Sequence, residues 1–282
     1  MNNFRDNFDI KMIGLDLDGT TLKYGDVFSE RTLEAFRRAK EKGVHIVIAT
    51  GRTRKSLPPM LFDIPQVEFV ITSNGAHITR LSDMKVIYED IISPKAVESV
   101  VKNTEKSGYI MEAFIDGAAY IDSRTYNLME QNPHDFQYRD VDYVLNTRIP
   151  VEDVYKYTLN HSHNIENISI TFPYEEDRRK LVNLFGGIDG ITLTSSFPHN
   201  IEIGGKTTSK AQALAHLLTI FNLTRDNLMA CGDSPNDGKM IELAAIGVAM
   251  ENSHPYILEI ADHVTDSCYD DGVAKAIERF VL

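Results

Sequence analysis

The sequence predicts an α/β fold: a doubly wound parallel sheet into which a separate α+β domain is inserted. Three observations predict it. Short apolar runs end in small or polar residues at Met12–Leu15, Val44–Ala49, Val67–Ile71 and Leu228–Cys231. Continuous apolar strands of this kind, joined by helices, mark a parallel sheet covered on both faces. Between the first two runs lies an amphipathic helix, which makes a βαβ unit. The stretch from about Lys85 to Gly190 reads differently, with strands followed by helices and none of the acidic strand ends seen on either side.

The helix of the βαβ unit is Ser29–Lys42, SERTLEAFRRAKEK. Leu33, Phe36 and Ala39 recur at helical spacing, Ser29 can cap its start, and Gly43 marks its end. Ser209–Phe221, with Ala211, Leu214, Leu217 and Leu218, is a second amphipathic helix, and Asn236–Ala245 a third. In the middle, Lys85–Ile92 and Tyr109–Ile121 read as strands, Gly117 supplies a turn, and Ser93–Ser107 and Glu175–Phe185 read as helices. The expected boundaries are residues 1–84 and 191–282 for the outer domain and 85–190 for the insertion.

Composition narrows the class. The 282 residues exceed the usual single domain, and 43% hydrophobic with 25% charged residues is ordinary for a globular chain. The start, MNNFRDNFDIKM, has no basic region followed by an apolar core, and no segment approaches the ~20 continuous apolar residues of a membrane span. A cytoplasmic location is therefore expected. The formal charge of −12 opposes nucleic acid or an anionic membrane as the main partner. Cys231 and Cys268 lack the spacing of a zinc site or a disulfide framework and read as buried thiols. His161 and His163, in the polar HSHN, read as a solvated loop.

Chemistry concentrates at strand ends. The first apolar run finishes in Asp16-Leu17-Asp18-Gly19-Thr20-Thr21-Leu22. Two carboxylates so close together cost several kcal/mol to bury unless a cation or proton compensates them. One reading is a turn, with Asp18-Gly19 as its corner and Thr20 capping the next segment. The other is a ligand site, since ligands bind at the carboxyl ends of open parallel sheets. Hard oxygen ligands with little nitrogen or sulfur nearby suit Mg²⁺. Cys231-Gly232-Asp233-Ser234-Pro235-Asn236-Asp237 repeats the pattern, with Asp233 as a further metal ligand and Asp237 acting through water or by orienting the others; a helix cap at Asp233 or Ser234 is compatible with this. Thr50-Gly51-Arg52 offers a hydroxyl and backbone N–H groups for a phosphate. Lys210 can hold a phosphoryl oxygen.

These pieces, in this order, resemble the haloacid dehalogenase-like (HAD) superfamily, and within it the Cof-like phosphatases with a type IIB cap. The resemblance spans nearly the whole chain. It includes DLDGTTL, ATGR, SNGA at Ser73–Ala76, TTSKAQAL at Thr207–Leu214, GDSPNDGKMIELAAIGVAMENSHP at Gly232–Pro255 and DDGVAKAIE at Asp270–Glu278. It implies a Rossmann-like core with an inserted cap, Asp16 as nucleophile and Asp18 as general acid/base. It implies metal ligation by Asp16, Asp18 and Asp233 with Asp237 in support, and phosphate or substrate binding by Leu17, Thr50, Gly51, Lys210 and Asn236. The lysine stretch of the family often reads KGVSKG, here KTTSKA, and Lys210 rather than Lys206 is taken as the phosphate lysine. The implied activity is Mg²⁺-dependent hydrolysis of a small phosphomonoester, such as a sugar phosphate or a phosphorylated cofactor, by a monomer or homodimer. A phosphomutase of the phosphomannomutase type and a sugar-phosphate sensor are the alternatives; a sensor needs no nucleophile. Glu112, Arg124, Tyr126, Arg178 and His199 are cap residues available for specificity.

Overall fold

The computed structural model describes residues 9–23 and 26–282. Residues 1–8 of the stretch MNNFRDNFDIKM lie outside the described residues. Along the chain come β1 (Met12–Leu15), α1 (Glu30–Glu41), β2 (His45–Ala49), β3 (Val67–Thr72), β4 (His77–Arg80) and β5 (Lys85–Glu89). There follow α2 (Pro94–Thr104), β6 (Ile110–Ile115), β7 (Ala118–Asp122), α3 (Ser123–Gln131), α4 (Val141–Thr147), β8 (Arg148–Val151), α5 (Val154–Asn160), β9 (Ile165–Thr171) and α6 (Asp177–Phe185). The chain ends with β10 (Thr192–Thr194), β11 (Asn200–Gly204), α7 (Lys210–Ile220), β12 (Leu228–Gly232), α8 (Gly238–Leu243), β13 (Ile246–Met250), α9 (Pro255–Ile260), β14 (His263–Thr265) and α10 (Gly272–Phe280). No helix among the described residues is long and apolar enough to cross a membrane.

Two compact units emerge. One holds the described residues up to Thr50, Pro58–Tyr88 and Lys210–Leu282; the other holds Gly51–Leu57 and Glu89–Ser209. The first is built on a sheet ordered β14-β13-β12-β1-β2-β3-β4-β5. Its strands are parallel from β14 to β3, and β4 runs antiparallel to β3. Every residue of β1 and β12 is buried, as two covered faces require. On one face Met12, Val47, Ala49, Phe69 and Ile71 pack against Ala213, Leu214 and Leu217 of α7 and Met240 and Ile241 of α8. On the other, α1 packs against α10 and β2. The Ser29 hydroxyl caps α1 by accepting from Thr32 N at 3.1 Å, and Gly43 beyond its end has φ +77°. Gly14 is a close approach: a Cβ there would stand 2.7 Å from Leu214 Cδ1. The missing side chain lets α7 lie against β1.

The second unit carries a sheet ordered β10-β11-β9-β6-β7-β8. Its pairs are antiparallel except β7 with β8. Met111, Ala113, Ile115, Ile168, Ile170, Ile201 and Ile203 pack one face against Val97 and Val101 of α2 and Leu181 and Phe185 of α6. The unit extends to Ser209, past the expected Gly190, because β10 and β11 complete its sheet and Ile201 and Ile203 fill its core. Residues 51–57 also count with it, through Lys55 N donating to Gly117 O at 2.8 Å.

Alternate residues of this sheet are polar yet buried: Glu112, Asn167, Ser169 and Thr171. Glu112 lies between two guanidinium groups, paired with Arg139 and with Arg148, whose Nε is 2.8 Å from Oε2. Arg148 also lies 4.9 Å over the Tyr143 ring. Burial pushes the Glu112 carboxyl up, but Arg139 and Arg148 outweigh it and hold it below its ordinary 4.5. The stability it supplies is therefore present above the ordinary carboxylate range and lost as pH falls through the lowered value. Glu112→Ala leaves two buried cations without their counter-charge, and urea denaturation should show a loss of about 3–5 kcal/mol. A loss below about 1 kcal/mol would mean that water reaches the arginines.

Candidate active site

β1 stops at Leu15, and Asp16 continues extended before residues 17–21 coil tightly, closed by Leu22 N donating to Leu17 O at 2.9 Å. Gly19, at φ +76°, makes that coil possible; a Cβ there would also fall 2.6 Å from Asp233 Oδ2. β12 stops at Gly232, and the chain folds back so that Asp237 covers the strand end: a Cβ on Gly232 would sit 2.5 Å from Asp237 Cβ. Asp237 Oδ2 accepts from the backbone N of Asp233 and of Ser234, each at 3.0 Å.

Lys210, the first residue of α7, ties the two loops together. Its Nζ donates to Asp16 Oδ1 at 2.5 Å and to Asp237 Oδ1 at 2.7 Å, and its side chain is 1% exposed. Asp233 is fixed by Thr20 Oγ1, which donates to Oδ1 at 2.8 Å, and by Ser234 Oγ, which donates to Oδ2 at 3.0 Å. One oxygen each from Asp16, Asp233 and Asp237 lies within 4.8 Å of the others.

Three carboxylates thus face one ammonium. Burial, then Asp237, pushes the Asp16 carboxyl well above its ordinary value despite Lys210. Asp233 is pushed up to about 6 by burial and then by Asp237. Burial works against the Lys210 cation, but Asp16 and Asp237 outweigh it and raise its pKa. A pocket that buries oxygen donors with excess negative charge has the chemistry of a hard divalent cation site, and the trio fits Mg²⁺.

The sequence-derived candidates distribute unevenly. Asp16, Lys210, Asp233 and Asp237 converge. Asp18, expected as a metal ligand with Asp16 and Asp233, is exposed, and its carboxylate is not among the converging oxygens. Strand alternation ends at Asp16, because Leu17 leaves the extended conformation and begins the coil. Leu17 and Thr50 are buried, but the Thr50 backbone N, expected to be open to a phosphate, donates to Ile71 O at 2.9 Å. Gly51 belongs to the second unit. Asn236 Nδ2 donates to Asn74 Oδ1 at 3.0 Å. Of the two lysines, Lys206 is exposed. Thr207 and Ala211 stand where the family often has glycine, and the Thr207 and Thr208 hydroxyls donate to Asp90 Oδ2 and O at 2.6 and 2.8 Å. Cys231 and Cys268 are buried thiols, and His161 Nδ1 is 2.8 Å from Tyr157 O in the turn after α5.

One contribution was not visible from residue types. Asn252 Nδ2 donates to Gly19 O at 2.8 Å, Ser253 Oγ to Gly232 O at 3.3 Å, and His254 N to Asp233 O at 2.8 Å. Three consecutive residues after β13 therefore splint both acidic loops. Their signal was a polar run following another apolar strand, which by itself reads as a connection.

The family model for haloacid dehalogenase-like hydrolases matches residues 13–277. The chain belongs to the haloacid dehalogenase-like hydrolases. Within this HAD-like family it is similar to the 5-amino-6-(5-phospho-D-ribitylamino)uracil phosphatase YcsE of Bacillus subtilis, 31% identical over 99% of this chain and 98% of that one. A solved haloacid dehalogenase-like hydrolase from B. subtilis superposes with a TM-score of 0.82 at 26% identity, covering 95% of this chain and 99% of that one. The HAD subclass IIB sugar phosphatase BT4131 shares the fold, with a TM-score of 0.80 at 24% identity over 96% and 98% of the two chains. The chain is a HAD-like phosphatase, a phosphoric monoester hydrolase.

The raised Asp233 value has a measurable sign. Between its ordinary 3.8 and about 6, the folded metal-free chain holds a proton that the unfolded chain has released. Stability must then fall as pH rises through that window, with Asp16 acting in the same sense. In excess chelator, the thermal midpoint of the wild type relative to Asp233→Asn should drop from about pH 4 toward about pH 6. Mg²⁺ should restore it above about pH 6. A difference between the two proteins that stays flat with pH would exclude the shift.

Proposed function

We propose that the chain is a Mg²⁺-dependent phosphatase that hydrolyses small phosphomonoesters through an aspartyl phosphate on Asp16. The observation that carries this reading is the Asp16 carboxylate held at a strand end, against Lys210 and beside Asp233 and Asp237. The first unit is assigned as the catalytic core and the second as the cap.

Asp16 Oδ attacks phosphorus as the bond from phosphorus to the leaving-group oxygen breaks. Asp18, which is exposed, gives its proton to the departing alkoxide. It then takes a proton from the water that attacks the phosphorus, and the bond to Asp16 breaks to free phosphate. Lys210 steadies the attacking carboxylate and offsets charge on the transferring group. Leu17, Thr50, Gly51 and Asn236 are assigned to the phosphoryl oxygens and the bound substrate. Asp16, Asp233 and Asp237 would hold Mg²⁺, with Asp18 the further ligand that the resemblance implies; when bound, the ion supplies charge neutralisation and a Lewis acid.

YcsE makes the phosphorylated ribitylaminouracil the first substrate to test, and the sugar phosphatase fold makes sugar phosphates the second. A screen of phosphate release over both classes, with and without Mg²⁺, tests the reading. Comparable slow release from every compound would indicate a generalist. Asp16→Asn should lower turnover by at least about 10³-fold with the fold retained. Substantial residual release would remove Asp16 from its role. Excess chelator should silence the enzyme. Lys210→Ala should cost about 10²-fold or more, and Lys206→Ala under about threefold; the reverse ranking would reassign the phosphate lysine.

A further inference from the structure

Asn74 stands out among the buried polar residues of the first unit. It is 3% exposed and adopts the left-handed backbone, φ 60° and ψ 23°, directly after Ser73 at φ 50°. Two successive side-chain-bearing residues at positive φ are uncommon, although asparagine visits the left-handed region more readily than most, and such backbones persist where the surroundings over-determine them. Asn74 N donates to Thr50 O at 3.1 Å, and Asn74 Oδ1 accepts from Asn236 Nδ2 at 3.0 Å. Asn74 Nδ2 and Asn236 Oδ1 are both buried and have no hydrogen-bond partner.

Topology says where this amide pair lies. Asn74 follows β3 and Asn236 follows β12, and between those strands the sheet holds β1 and β2. Neighbouring strands are ~4.8 Å apart, so the two loops start roughly 14 Å from one another. To meet at 3.0 Å they must reach across the strand ends that carry Asp16 and Thr50. A donor and an acceptor left without partners there call for a ligand that brings one of each, because an unsatisfied buried polar group costs about 1–3 kcal/mol. Monohydrogen phosphate brings both, a charged oxygen that accepts and a P–OH that donates. A neutral amide also adds a grip on the anion without changing the balance between Lys210 and its carboxylates.

We propose that Asn74 contacts the phosphoryl group directly: its Nδ2 donates to a phosphoryl oxygen, and in bound monohydrogen phosphate the partnered Asn236 presents Oδ1 to the P–OH. This rests on the phosphatase reading. It gives the SNGA segment a role in binding.

The test uses the full chain with Mg²⁺ and inorganic phosphate as the probe. Asn74→Gly accepts the left-handed backbone but deletes the amide. Asn74→Asp keeps the acceptor for Asn236 and replaces the donor by an oxygen. Calorimetry should show phosphate bound about tenfold more weakly in the glycine variant and weaker still in the aspartate variant. The KM for a phosphomonoester should rise with phosphate Kd more than kcat falls, and Mg²⁺ affinity should stay within about twofold. Phosphate affinity within about twofold of wild type in both variants would overturn the assignment and leave Asn74 a structural residue. The two readings fail separately. Wild-type turnover with normal phosphate binding by the variants sinks Asn74 alone. Wild-type phosphate binding that depends on Asn74, without hydrolysis of any ester, sinks the phosphatase reading and keeps the contact.

Discussion

The bridge from Lys210 to Asp16 and Asp237 is the interaction on which the rest of the site depends. It joins three elements distant in sequence, the end of β1, the loop after β12 and the start of α7. A buried ammonium is tolerated only with close counter-charges, and two buried carboxylates only with a cation between them. The lysine and the two carboxylates are thus one another's counter-charges. The absent side chain at Gly14 is what brings α7 near enough for Lys210 to reach both.

That bridge does not neutralise the site. Asp233 and a share of Asp237 and Asp16 remain in excess, and the raised values of Asp16 and Asp233 record the cost. A divalent ion or protons must complete the balance. The surroundings are arranged so that little movement is needed when that happens: Thr20 and Ser234 hold Asp233, two backbone N–H groups hold Asp237, and residues 252–254 fix the main chain of both loops. Groups held this way need little reorganisation as charge develops, which is where electrostatic catalysis gains most. The chain's net charge of −12 does not contradict anion binding, because charges beyond a Debye length of about 8 Å are screened while Lys210 acts in contact.

Much of this was legible in the sequence. The βαβ unit followed from periodicity with Ser29 and Gly43 as its signals, and the acidic strand ends followed from the oddity of carboxylates after apolar runs. Other parts depend on geometry that residue types do not encode. Asp16 and Asp18 look equivalent in sequence, yet one is buried and the other exposed, because Leu17 between them leaves the extended conformation. Thr50-Gly51-Arg52 looks like a run of open backbone N–H groups, yet the neighbouring strand takes that of Thr50. The sheet of the second unit recruits β10 and β11, too short and too polar at their ends to be separated from connections by pattern. The polar sheet positions Glu112, Asn167 and Ser169 contradict the usual rule for buried strands, and only burial itself reveals them.

The disposition of Asp16 bears on whether the site reacts or merely binds. A receptor for phosphate gains from donors, and a carboxylate aimed at the same place weakens it, since like charges repel most where water is excluded. Here a carboxylate is buried against that penalty and tethered by a lysine, with neutral donors such as Asn74 close to its strand. Binding alone gives no reason to retain Asp16 in this position. Covalent transfer does: the repulsion present with substrate bound is relieved as the oxygen forms a bond to phosphorus, so the interaction improves toward the transition state rather than before it. On the proposed reading, the exposed Asp18 two residues further on would then favour release over a lasting phosphoprotein. The same short span thus holds one buried and one exposed carboxylate, and the proposed reaction would use the first as nucleophile and the second as general acid and base.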